Sequence, residues 1–193
     1  MTVSSLAHHF LIAYPTLDDA HFSRSVIYLY EHSSEGAMGL MVNKPLQMTL
    51  HDVLEHLDIE CPHELVSSQP VMMGGPVGQE HGFVLFAEDM PAASDVEPGE
   101  EAEPTQDEVF LSSSKETLMM IANGAGPENY LVTLGYVGWG PGQLEAELHR
   151  NDWIVAPFDP ALLFDVPIEQ RWQQAALLIG IDVTRLSTQV GHA

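Results

Sequence analysis

Short apolar runs broken by turn residues dominate the first half of the chain, which is the spacing of strands rather than helices. Phe10 to Tyr14 is one such run, ended by Pro15. Val26 to Tyr30 is β-branched and aromatic, and Gly36 to Val42 follows the turn-like Ser33-Ser34-Glu35-Gly36, so the pair reads as a hairpin. Gly36 and Gly39 weaken the second strand and predict a bulge or a close backbone approach there. The period then changes. Leu50, Val53, Leu54 and Leu57 share one helical face, and Thr49 with Asp52 three positions on predicts a capped helix starting near Thr49. Val71 to Met73 and Gly82 to Phe86 read as further strands separated by the turn GGPVGQEH.

The second half mixes both periods. Val109 to Leu111 is a short strand, and Ser113 with Glu116 predicts a capping box for a helix carrying Leu118, Met119, Ile121 and Ala122, closed by Gly124. Tyr130 to Leu134 is a strong strand leading into a glycine-rich strand-to-helix turn, Gly135 to Gly142, with a short helix from Gln143 to His149. Trp153 to Val155 and Leu162 to Phe164 read as strands. A last helix begins with Pro167 in its first turn, buries Trp172, Ala175, Ala176 and Ile179, and stops at Gly180. The expected fold is α+β: a mixed, largely antiparallel sheet, with room for a curved or barrel-like form, and about four helices packed around it. No internal repeat is visible, and residues 1–193 are expected to form a single domain.

Charge narrows the partners. Six Lys and Arg face 28 Asp and Glu, a formal net charge of −22. Non-specific nucleic-acid affinity comes from neutralising phosphates, so direct DNA or RNA binding by this chain is not expected. Basic proteins, cationic ligands and divalent metals are the electrostatically favoured partners. Nine acids and three prolines, without a base, crowd residues 88–108, which predicts an acidic surface loop within the domain. Cys61 is the single cysteine, so no internal disulfide can form. No basic leader precedes the first apolar run, and no apolar stretch is long enough to span a bilayer, so a cytoplasmic protein without membrane contact is expected.

Candidate chemistry is sparse. GYVGWGPGQLEAE, residues 135 to 147, has the strand–glycine–helix order of a phosphate cradle, but no Gly-Lys-Ser/Thr and no dinucleotide spacing. Glu145 and Glu147 are expected in the first helical turn, where they complement the dipole and repel phosphate. The glycines then serve a tight crossing beneath Trp139. GGPVGQEHG, residues 74 to 82, is a second glycine-rich turn that could meet the first. Among ten histidines, only His51 with Glu55 has helical metal spacing, half of a site, so no metal and no other cofactor is expected. Ser112 to Ser114 reads as helix capping and not as a nucleophile, and Glu60 beside Cys61 discourages a reactive thiolate. Arg171, next to Trp172, reads as a structural ion-pair partner.

Taken together, FLIAYP, FSRSVIYLYEH, GAMGLMVNKPL, GGPV, LGYVGWGPGQLEAE, NDW, LFDVP and RW resemble the YqgE/AlgH family of bacterial proteins from about Leu6 to the C-terminus. The resemblance implies an α+β fold of unusual topology and a cytoplasmic location. The family's name implies a regulator of transcription, proposed for exopolysaccharide synthesis. The acidic stretch falls where a variable loop is expected. The resemblance brings no catalytic residue with it. The matching positions are Asn43, Pro45, Gly74, Gly75, Pro76, Gly135, Tyr136, Gly138, Trp139, Gly142, Gln143 and Glu145, and all of them except Pro45 make up the candidate binding surface. The expected role is a non-enzymatic regulatory or interaction protein, a monomer or weak oligomer, working through a protein partner. The alternative is a small-molecule binding protein or enzyme, with a nucleotide among the candidate ligands, using the two glycine-rich turns with Asn43 and Gln143.

Overall fold

The computed structural model describes residues 5–87 and 109–186; the acidic stretch predicted as a loop at 88–108 lies outside them. The chain runs β1 (His9–Ala13), β2 (Val26–Ser33), β3 (Gly36–Met41), β4 (Pro45–Thr49), α1 (Leu50–His56), α2 (Glu64–Ser67), β5 (Pro70–Met73), β6 (Val77–Ala87) and β7 (Val109–Ser112). It continues with α3 (Lys115–Ala122), β8 (Tyr130–Trp139), α4 (Gln143–His149), β9 (Trp153–Pro157), α5 (Pro160–Phe164), a 3-10 turn (Ile168–Gln170), α6 (Arg171–Leu177) and α7 (Val183–Leu186). The fold is α+β, and none of the described helices is long and apolar enough to cross a membrane.

The sheet is mixed and largely antiparallel, in the order β4-β5-β8-β3-β2-β1-β9, with β6 on β8 and β7 on β6. It does not close into a barrel. Among the described strands the one parallel pairing is β5 with β8, Val71 opposite Val132. Strand β8 joins the two halves. Its first part lies between β5 and β6, its last part pairs with β3 (Gly39 opposite Val137), and Gly135 between them takes φ +73°. A left-handed residue inside a strand re-aims the strand, and only glycine does so without strain.

Three apolar clusters follow from this. Phe10, Tyr28, Leu40 and Leu85 meet Leu162, Leu163, Ala175 and Ala176 of α5 and α6. The apolar face of α1 (Leu50, Val53, Leu54) and that of α3 (Leu118, Ile121, Ala122) cover Val71, Val84 and Val132. A third cluster gathers Leu11, Ile27, Leu29, Met41, Trp139, Leu144 and Trp153.

The hairpin β2–β3 and the Thr49–Asp52 cap of α1 form as expected. The irregularity predicted near Gly36 and Gly39 lies partly on the partner strand, where Tyr30 is the extra residue between Leu29 and Glu31. Gly39 itself provides close approach, since a Cβ there would lie 2.6 Å from Ile27 Cγ2. Six expectations are corrected. Residues 135–139 are not a turn but the second half of β8, and β6 begins at Val77, inside the predicted GGPVGQEH turn. The cap of α3 is Ser114, accepting from Thr117 N at 3.2 Å, one residue later than Ser113. Leu162 to Phe164 is helical: Asp159 caps Ala161 N at 2.9 Å and Pro160 sets the first turn, which overrides the apolar run. Arg171 is buried but belongs to no ion pair among the described residues; it donates to the carbonyls of Val42 and Val166 instead. Trp172 is only half-buried; its indole donates to Ala13 O at 2.9 Å.

Candidate functional site

The two glycine-rich segments meet. Gly74 N donates to Leu134 O at 2.8 Å, and Gly74 O accepts from Met41 N at 2.7 Å. A Cβ on Gly75 would fall onto the carbonyl of Tyr136, and one on Gly74 onto the carbonyl of Gly135. The glycines let two backbones touch, which is a packing role. Tyr136 closes the crossing edge-to-face on Phe83, with ring centroids 6.1 Å apart.

Beyond the crossing, a cleft of about 360 Å³ opens between the start of β6, the end of β8, α4 and the 17–22 loop. Pro76, Gly138, Trp139 and Gln143 line it, joined by Phe22, Asp19, Glu147 and Trp153. Glu147 is its centre. Its Oε2 accepts from the indole N–H of Trp139 and of Trp153, both at 2.8 Å, and its Oε1 accepts from Gln143 Nε2 at 3.1 Å. Gln143 in turn holds Gly140 N–H through its Oε1 at 3.0 Å. The indoles stand edge-to-face at 6.2 Å and 82°, and Phe22 lies edge-on to Trp153 at 5.8 Å.

All three donors to Glu147 are neutral, and it forms no ion pair among the described residues. Asp19 is similar. The N–H groups of His21 and Phe22, at 2.8 and 3.0 Å, hold its carboxyl below the ordinary Asp range. The one strong cationic neighbour, Arg150, is paired with Asp152 at 2.8 Å. The cleft therefore combines aromatic walls with one carboxylate, Glu147, whose hydrogen bonds are made but which has no ion-pair partner among the described residues, a setting suited to a cation.

The remaining predicted positions lie elsewhere. Glu145 points away from this cleft to His32, with Oε1 2.9 Å from Nε2; Leu6 N donates to His32 Nδ1, which leaves the ring proton on Nε2 to donate to Glu145. Its own backbone N–H, and then His32, hold Glu145 below the usual carboxylate range. Asn43 is an inner staple: Oδ1 accepts from Val26 N at 2.8 Å and Nδ2 donates to Arg24 O at 2.9 Å. Gly142 precedes α4 at φ +73° with open space around it. Glu147, expected in the first turn, is the fifth residue of α4, so it faces the cleft and not the helix start. Trp153, Phe22 and Asp19 were not among the expected site residues, and Glu147 was expected only as a partner of the helix dipole. The legible signal was Gln143 four residues before Glu147, a helical pair spacing. Among the described residues, no three His, Cys, Asp or Glu side chains converge to hold a metal.

Residues 10–184 match the family model described as AlgH-like. A UPF0301 protein of Coxiella burnetii is 47% identical over 188 residues, covering 97% of each chain. One from Nitrosococcus oceani is 44% identical over 193 residues, covering 100% of this chain and 99% of the relative. The solution structure of the AlgH protein from Pseudomonas aeruginosa superimposes with a TM-score of 0.74 at 42% identity, over 100% of this chain and 98% of that one.

Proposed function

The chain belongs to the AlgH-like family, and on that premise we propose that it is a non-enzymatic interaction protein of the cytoplasm, acting on transcription indirectly through a protein partner. A basic side chain of that partner seats in the tryptophan-walled cleft. The observation that carries this reading is Glu147, held by two indoles and an amide with no ion-pair partner among the described residues, the neighbouring Arg150 being paired with Asp152. A Lys or Arg of the partner would gain that charge and the faces or edges of Trp139, Trp153 and Phe22, with cation–aromatic contact contributing about 0.5–2 kcal/mol. The net charge of −22 speeds encounter with a basic partner and opposes DNA. The glycine-rich turns lend less support to a nucleotide site, because Gly74, Gly75 and Gly135 are in backbone contact and Asn43 is bound to the 24–26 segment.

Trp139 and Trp153 provide the readout. Titration with Arg- or Lys-containing peptides should change tryptophan fluorescence, with citrulline- or acetyl-lysine-containing versions at least tenfold weaker. The effect should fall in Glu147→Gln and in high salt. Equal binding of charged and neutral peptides, or tight salt-sensitive binding of promoter DNA by the chain alone, would contradict the proposal.

A further inference from the structure

A second cleft, of about 320 Å³, shares no lining residue with the first and lies between β5, β8 and the segment 163–171. Arg171 lines it, although the residue is only 5% exposed. A guanidinium carries five N–H donors. Here Nε donates to Val166 O at 3.1 Å and Nη1 to Val42 O at 2.5 Å, and Nη2 makes no hydrogen bond to the described protein. Among the described residues, the only side-chain N or O atoms both sealed from solvent and unpartnered are Ser25 Oγ and Thr133 Oγ1, so Nη2 is not sealed, on a residue that lines the cleft. Burial lowers the pKa of this group to about 10, against a small opposing effect of Glu169, so it is charged at neutral pH. A buried cation without a counter-ion is costly, and an arriving anion relieves that cost.

The walls restrict which anion fits. Leu131, Leu163, Phe164 and Ile168 line the same space, Gln69 stands among the lining groups, and Asp165 is the one acid. There is no second base to hold a dianion, and the planar guanidinium edge matches a planar carboxylate. We propose that this cleft binds a small organic carboxylate with an apolar body, the carboxylate on the Nη2 edge of Arg171 and the body against Leu131, Leu163, Phe164 and Ile168. The volume is at the small end of ligand sites, which sets the size to a single short chain or ring.

The experiment titrates the full chain with 4-methylpentanoate, phenylacetate and leucine in 0.15 M salt, following melting temperature and amide NMR shifts. 4-Methylpentanamide and inorganic phosphate are the controls. At a hundredfold excess over Kd the carboxylates should raise the melting temperature by roughly 5–10 °C. The amide should bind at least tenfold more weakly. Arg171→Met should abolish binding. Because that variant could also disturb folding, Gln69→Trp, an exposed change that fills the cleft and leaves Arg171 intact, should abolish it too. Binding of leucine but not 4-methylpentanoate keeps the carboxylate site and assigns the ammonium to Asp165, with Asp165→Asn then losing leucine. No response to any carboxylate overturns the proposal. So does equal binding of acid and amide, phosphate binding more tightly than the carboxylates, or unchanged binding in Gln69→Trp.

Discussion

Glu147 and Arg171 sit in clefts of similar size, about 360 and 320 Å³, and neither has a counter-charge within ion-pair distance among the described residues. Their hydrogen bonding differs. Both oxygens of Glu147 are occupied, by donors fixed on β8, β9 and α4, whereas Arg171 uses two of its three nitrogens. Satisfying hydrogen bonds and compensating charge are thus separate requirements in this molecule. Neutral donors hold the carboxylate in a single geometry and leave its charge to act on whatever approaches. Two carbonyls anchor the guanidinium on one side and leave its other edge open. The first cleft is a finished wall with an electrostatic preference; the second lacks a partner for a group already buried.

The most severe way to break this comparison is to deform one cleft without touching its side chains. Gly75→Ala would drive a methyl into the Tyr136 carbonyl and part the β5–β8 crossing that leads into Pro76. Loss of more than about 4 kcal/mol, read as insoluble or unfolded protein, is expected. Gly142→Ala has open space around it and a left-handed φ, so it should cost only about 1–2 kcal/mol in urea unfolding. Similar effects of the two substitutions would show that the crossing does not support the cleft.

Next in size is the pair that tests the comparison directly. Glu147→Leu leaves two indole N–H groups and the Gln143 amide without their acceptor, which should cost about 2–5 kcal/mol. Glu147→Gln keeps an acceptor for the indoles and should cost about 1 kcal/mol. Arg171→Met orphans two carbonyls but removes a desolvated charge, so the opposing changes should leave a loss of about 1–2 kcal/mol. Chemical denaturation of the three variants checks the order. A larger loss for Arg171→Met than for Glu147→Leu would mean that the guanidinium is compensated after all, and the contrast would fail.

Much of the fold was legible because its local signals agree with its packing. Thr49 with Asp52, the Ser33–Gly36 hairpin and the Gln143–His149 helix each combine a cap or turn residue with a clean apolar period. Reading failed where a tertiary contact or a start signal overrode propensity. Glycines at 135 and 138 suggested a turn, yet pairing with β3 and β6 keeps the segment a strand, and Gly135 is needed where the Gly74–Gly75 backbone crosses it. Leu162–Phe164 suggested a strand until Asp159 and Pro160 are weighed. The site was half legible. Pro76, Gly138, Trp139 and Gln143 do converge on one cleft, but its centre, Glu147, was read as a partner of the helix dipole. Its role depends on Trp153 coming from β9 and Phe22 from a loop, neither of which local sequence can place.

The smallest expected effect isolates what neutral donors do for a carboxylate on α4. Glu145 lies on the same helix as Glu147 but meets only its own backbone N–H and the Nε2–H of His32, and these hold its pKa below the ordinary value. The sign follows from linkage. A carboxyl whose pKa is lower in the folded state stabilises fully above its unfolded value, near about 4.3, and that contribution fades as pH falls through the folded value. Asp19 and Asp52 are shifted in the same direction, so the pH profile of the native protein alone would mix all three. The difference between native protein and Glu145→Gln separates this one group. It should be present where Glu145 is ionised and shrink as pH falls from about 4 toward 3 in urea unfolding at each pH. The side chain is 31% exposed, so solvent keeps the difference below that of Glu147→Leu. A difference that grows on acidification would mean that the His32 contact favours protonated Glu145. The view that neutral N–H groups on α4 stabilise ionised carboxylates, on which the contrast with Arg171 rests, would then be wrong.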